Sequence, residues 1–165
     1  KGVATFIEAV VMAGAEGWIV GAGPEEAALK ALAVEKQARI GFVGHQDKAA
    51  LFSIIRQARA VVLPSEWYEN APLSVMEAYA LGVPVIGAAI GGIPELITEG
   101  ETGLLFESGN ARALANAIAK IEQMADADVR QMGRRGNDLM KESFGPLHYK
   151  ERMFDLYTSL GVHHG

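Results

Sequence analysis

The sequence predicts an α/β fold, a doubly wound parallel sheet with helices on both faces. Three observations carry this. Short, unbroken apolar runs alternate with helical patterns along the chain, the signature of strands covered on both faces. The runs end in glycine or proline, as at Gly21, Gly44 and Pro64, so each strand hands the chain to a loop and then to a helix. Crossovers between parallel strands are right-handed, which winds such a chain doubly. With 165 residues, half of them hydrophobic and 21% charged, the chain is one globular domain able to bury about 70% of its unfolded surface.

Taken in order, residues 3–13 form a helix with Phe6, Ile7, Val10 and Val11 on one side. Residues 17–20 are a short strand, and residues 25–34 an amphipathic helix that Pro24 starts from its first turn. A strand at 40–43 precedes a helix capped by Asp47 and running to about Arg59. Residues 60–63 are a strand, 72–81 a helix stopped by Gly82, and 83–86 a strand. Gly91-Gly92-Ile93-Pro94 turns the chain before a last short strand at 103–106. Helices at 111–124, 128–142 and 146–160 fill the remainder. Residues 1–145 make the main unit, and 146–165 a terminal helical unit that packs on it or reaches toward an absent domain.

Composition excludes several functions. A net charge of −5 and a pI near 5.4 leave no basic stripe for nucleic-acid phosphates. The absence of cysteine removes disulfides, thiolate metal sites and thiol nucleophiles, and it fits a reducing compartment. No apolar run approaches the roughly 20 residues of a membrane span. The chain opens at Lys1-Gly2 and closes on His163-His164-Gly165, and it reads as a piece of something longer.

Gly21-Ala22-Gly23-Pro24 follows an apolar strand, as a dinucleotide fingerprint would, but Glu26 stands where the third glycine belongs. Asp126-Ala127-Asp128 has a metal-holding D-x-D form, yet it lies between two helical patterns, where an aspartate cap explains it. The stretch from Pro64 to Ala78 is more informative. Glu69 and Glu77 are separated by seven residues, and Glu77 sits in a helix with almost no polar face, among Val75, Met76, Ala78 and Tyr79. A charge there is costly unless it is paired or lines a cleft. Ser74 to Glu77 also has the S-x-x-E form of a capping box, a local explanation that would make Glu77 only a helix-start device.

Pro64-Ser65, the two acids, Gly82-Val83-Pro84-Val85-Ile86, Gly91-Gly92-Ile93-Pro94-Glu95-Leu96 and Gly100-Glu101-Thr102-Gly103 follow one another in order, as do the earlier runs from Ile19 to Pro24 and from Ile40 to Gly44. In this arrangement the chain resembles the C-terminal, Rossmann-like nucleotide-sugar-binding domain of retaining GT-B glycosyltransferases with the E-x7-E motif. The resemblance covers essentially the whole chain. It implies a donor, a nucleotide-diphosphate sugar, lying across the carboxyl ends of the strands. Glu77 would accept from its ribose hydroxyls, and Glu69 would contact the transferred sugar. Lys1 would neutralise the leaving diphosphate in a front-face reaction. Asn70, Ala71, Pro72, Leu73 and Ser74 would face the diphosphate. Because Pro72 has no N–H, the donors would come from Leu73 and Ser74. Val43, Gly44 and His45 would line the base, and Gly23 the neighbouring loop.

The resemblance also implies no metal and no cofactor beyond the substrate. It implies a glycan or lipid-linked acceptor held by an absent N-terminal domain. It further implies polysaccharide assembly in the cytoplasm, with the full-length enzyme free or peripheral to the inner membrane face. Two family features are missing: the arginine that pairs with the lysine, and a first strand central to the sheet. The expectation is therefore a fragment, inactive alone. A non-catalytic nucleotide-binding module with the same fold is the alternative. A dinucleotide-dependent oxidoreductase, resting on residues 21–24, is a third reading, disfavoured by Glu26.

Overall fold

The structure, a computed structural model, describes residues 1–144. The expected helix at 146–160 and the terminal unit at 146–165 lie outside them. Seven helices and five strands alternate among the described residues: α1 (Val3–Ala13), β1 (Gly17–Val20), α2 (Glu26–Glu35), β2 (Ile40–Gly44), α3 (Lys48–Gln57), β3 (Val61–Leu63), α4 (Leu73–Ala80), β4 (Val85–Ala88), α5 (Ile93–Leu96), β5 (Gly103–Phe106), α6 (Ala111–Gln123) and α7 (Asp126–Phe144). Every strand pairing is parallel.

The strands fall into two sheets, β1-β2 and β3-β4-β5. In the first, Gly17 pairs with Ile40 and Val20 with Gly44, with an irregularity between Ile19 and Val20. In the second, Val61 pairs with Val85 and Val85 with Gly103. A ladder needs a partner strand about 4.8 Å away, and no strand among the described residues joins the two sheets.

β4 is the middle of the core. Successive side chains of a strand point to opposite faces. Ile86 and Ala88 accordingly pack with Leu104, Phe106, Val10 of α1 and Leu114 and Ile118 of α6. Val85 packs the other way, against Val75 and Tyr79 of α4 and Ile93 of α5. Helices thus cover both faces, as the apolar runs predict.

Several boundaries move for identifiable reasons. The strand expected at 83–86 is displaced to Val85–Ala88. Pro84 cannot donate to a ladder; its carbonyl instead accepts from Val61 N at 3.0 Å. The helix expected from Pro72 begins at Leu73, with Pro72 as its N-cap. The turn expected at 91–94 leads into the short helix α5, with Pro94 in its first turn, a position that tolerates a missing N–H. The helix expected from 128 begins two residues earlier, so Asp126 and Asp128, expected to supply a cap between two helices, both stand in the first turn of α7. Asp47 caps α3 as expected, accepting from Ala50 N at 2.8 Å.

Tertiary contacts hold α4, the helix that carries Glu77. Asn137 Nδ2 donates to the carbonyls of Tyr79 and Ala80 at 3.0 and 3.1 Å, satisfying acceptors at the end of α4. The Tyr79 hydroxyl, fully buried, bonds to Thr102 Oγ1 at 2.8 Å, and Thr98 N donates to the same oxygen at 2.9 Å. Gly136 of α7 lies on the Tyr79 ring, where a Cβ would come within 2.4 Å of Cδ1.

Candidate functional site at the carboxyl ends of the strands

β3 ends at Leu63, and the loop that follows carries Ser65, Glu66, Glu69 and Asn70 before α4 begins. Glu69 is the centre of a polar cluster. Its Oε1 accepts from Lys1 Nζ at 2.6 Å and from Ser65 Oγ at 3.2 Å. Ser65 is buried, and its carbonyl accepts from Ser108 Oγ at 2.9 Å. Lys1, above all, with help from Ser65 and against partial burial, holds the Glu69 carboxyl below the usual carboxylate range. The group is therefore ionised and acceptor-only at neutral pH. Among the described residues Oε2 has no hydrogen-bond partner.

The backbone of this loop is braced from β4's carboxyl end. Gly92 N donates to Glu69 O at 2.7 Å. A Cβ on Gly91 would lie 2.7 Å from Glu69 N and O, and one on Gly92 would lie 2.4 Å from Asn70 O. Backbone meets backbone here, so no side chain fits at either position without moving the loop.

The front of α1 closes the cluster. Thr5 Oγ1 donates to Glu66 Oε1 at 2.6 Å. Gly2, in the left-handed region at φ 68°, presses against the Pro64 carbonyl. Lys1 is thereby brought to Glu69 across 68 positions of sequence.

The remaining expected residues are placed as follows. Asn70, Ala71 and Leu73 are exposed, Ser74 is half-buried and Pro72 is buried. Glu77 is half-buried on α4 and makes no hydrogen bond or ion pair among the described residues. The capping box from Ser74 to Glu77 is not formed: Ser74 is inside the helix, and that end of α4 has no side-chain cap. Val43, Gly44 and His45 stand at the carboxyl end of β2, where Gly44 O accepts from Gly21 N at 2.7 Å, and Gly23 is exposed in the loop after β1. Those four belong to the other sheet and are not among the direct contacts of Glu69.

Sequence reasoning missed Thr5, Glu66 and Ser108, and it gave Gly91-Gly92 a turn and a place in the family resemblance but no part in bracing the loop. Ser65 enters it only as part of the Pro64-Ser65 run and with no site role, although a serine after an apolar strand and four residues before an acid is the local signal it offers.

A parallel α/β domain with its polar loops gathered at strand carboxyl ends is a small-molecule-binding class of fold. Comparison with known proteins makes this specific. The family of glycosyl transferases group 1 matches residues 1–138. An N-acetyl-alpha-D-glucosaminyl L-malate synthase from Bacillus anthracis is 34% identical over 145 residues, covering 86% of this chain and 37% of that protein. A solved sucrose-phosphate synthase from Thermosynechococcus elongatus superposes with a TM-score of 0.83 at 33% identity, covering 98% of this chain and 43% of the other. Anabaena HepE, solved in complex with UDP, shares the fold at 20% identity, with a TM-score of 0.79 over 93% of this chain and 44% of its own. The chain belongs to the glycosyl transferases group 1 family and has the fold of the C-terminal Rossmann-like domain of GT-B enzymes. It spans less than half the length of these relatives.

Proposed function

We propose that this chain is the donor-binding domain of a retaining glycosyltransferase, which moves a sugar from a nucleotide-diphosphate sugar to a glycan or lipid-linked acceptor. The observation that carries the reading is the Lys1–Glu69–Ser65 cluster beside the N-terminus of α4. A cation, an ionised carboxylate with one free oxygen and a helix N-terminus together suit a diphosphate joined to a polyhydroxylated sugar. The UDP held by the Anabaena protein of the same fold supports the same ligand chemistry.

In this reading Lys1 moves from Glu69 toward the diphosphate as negative charge develops on the leaving group, the stage at which fixed charge lowers a barrier most. Oε2 of Glu69 accepts from hydroxyls of the transferred sugar. Glu77, whose carboxylate is unpaired among the described residues, accepts from the ribose diol, and the backbone of residues 70–74 faces the phosphates. Val43, Gly44, His45 and Gly23 line the base end. Leaving group and acceptor share one face of the sugar, so configuration is retained. The acceptor and the rest of the catalytic machinery belong to another domain, and the reaction takes place in the cytoplasm.

The test is calorimetric titration of the chain with UDP, GDP and ADP in EDTA. Binding of one nucleotide, lost in Glu77→Ala, is the expected result. Unchanged affinity in Glu77→Ala would sink the ribose assignment, and binding that disappears in EDTA would replace lysine by a metal.

A further inference from the structure

We propose that Thr5 and Glu66 form a clasp that holds the first turn of α1 on the β3–α4 loop, making both positioning residues for Lys1. The inference rests on the donor-site reading for its purpose but on geometry for its existence.

α1 begins without a side-chain cap of its own, because its N-cap is Gly2. The first N–H groups of a helix need acceptors, and its positive end favours a carboxylate. Glu66 brings one from a distant segment. Its Oε1 accepts from Thr5 Oγ1 at 2.6 Å and lies 3.3 Å from where a Cβ on Gly2 would stand. Thr5 is only 8% exposed, so the bond is shielded from water on one side.

Gly2 admits the close approach. A Cβ there would sit 1.7 Å from the Pro64 carbonyl oxygen, and φ is 68°. Any other residue would push α1 away from the loop.

The clasp matters because the Lys1–Glu69 pair cannot hold itself. The Lys1 side chain is 75% exposed. An exposed ion pair contributes little and loses a long side chain's freedom. What keeps the ammonium beside Glu69 is the fixed backbone immediately after it. With the Thr5–Glu66 bond absent, α1's first turn frays and Lys1 spends its time in solvent.

The experiment reads Glu69 directly, by carbon-13 NMR titration of its carboxyl in the 165-residue chain, assigned with Glu69→Gln. In Thr5→Val, which keeps shape and charge, the Glu69 midpoint rises toward the ordinary glutamate range. Thr5→Ser, which keeps the hydroxyl, retains the lowered midpoint. Glu66→Ala gives the second breaking variant. Loss of its negative charge alone would lower the Glu69 midpoint, so a rise there reports the departure of Lys1.

Amide exchange at Phe6, which donates to Gly2 O, and at Ile7 increases about fivefold in both breaking variants, the factor of one ordinary hydrogen bond. Affinity for the nucleoside diphosphate that the parent binds falls by about the same factor. A Glu69 midpoint that stays low in both Thr5→Val and Glu66→Ala overturns the clasp. A parent that binds no nucleoside diphosphate retires the donor reading instead, and the carboxyl titration still decides the clasp.

Discussion

β1 and β4 are built from the same kind of segment and finish in different surroundings. β4, Val-Ile-Gly-Ala, is buried at all four positions. β1, Gly-Trp-Ile-Val, has no fully buried residue, and Trp18 is 61% exposed. β2 is likewise only half-buried, whereas β5 is buried at three of its four positions. The difference lies in neighbours. β4 is hydrogen-bonded on both edges and covered by α1 and α6 on one face and α4 and α5 on the other. Among the described residues β1 has one partner strand. An apolar run makes a strand eligible for a core; flanking strands and covering helices decide whether it gets there.

The sharpest way to break this contrast is a matched pair of truncations. Leu104→Ala, at a site 2% exposed in β5, should cost about 2–5 kcal/mol by urea unfolding. Ile19→Ala in half-buried β1 should cost less than half as much, since less surface leaves water and no closed cavity forms. Equal costs for the two would mean that the sheets are equally part of one core.

Arg59, in the connection between α3 and β3, tests how the two regions are tied. Its guanidinium donates to the carbonyls of Ile121 and Met124 at 3.0 and 2.7 Å and pairs with Asp126 at 2.5 Å. It thus caps the end of α6 and meets the start of α7, while its buried Nε lacks a partner among the described residues. Arg59→Met leaves the Met124 carbonyl without its donor and the Ile121 carbonyl with only Met124 N, at 3.3 Å, and should cost about 1–3 kcal/mol. The same variant should return the Asp126 carboxyl, now held below its ordinary range chiefly by Arg59, toward normal. Protection from amide exchange that is lost at the end of α6, with β1–β2 untouched, would show the staple acting on one region alone.

The smallest expected effect belongs to Tyr79. Burial pushes its phenol up from 10.0 to about 12, against the opposing pull of the Thr102 hydrogen bond. The folded state holds this proton more tightly than the unfolded chain does. Its contribution is therefore whole below pH 10 and lost as pH rises from 10 to about 12. Tyr79→Phe should cost about 1 kcal/mol at neutral pH, the net worth of one hydrogen bond, and should flatten the alkaline loss of stability. An unchanged alkaline profile in that variant would place the titrating group elsewhere.

Much of this architecture was legible beforehand. The alternation of apolar runs with helical patterns located every strand and most helices to within two residues, because burial on both faces demands continuous apolar sequence. Asp47 announced the start of α3 through its short side chain. The misplaced edges fell at proline: Pro84 has no N–H for a ladder and delayed β4, while Pro72, in extended backbone at ψ 104°, is the N-cap one residue before α4. At the site, Glu69 and Glu77 stood out by their setting, and the absence of a capping box on α4 removes the local explanation for Glu77. Thr5, Glu66 and Ser108 could not have been found, because each acts on a residue more than forty positions away and none is unusual among its neighbours in sequence.

The sequence by itself determined the fold class, the family resemblance and the two acids, since periodicity, turn residues and an isolated charge in an apolar helix are local properties. Tertiary structure alone decided that Lys1 meets Glu69, that Gly91 and Gly92 brace the loop, and that the strands part into two sheets. Those outcomes depend on distances between segments remote in the chain, and these are set by which backbones can approach one another and which strand edges find a partner.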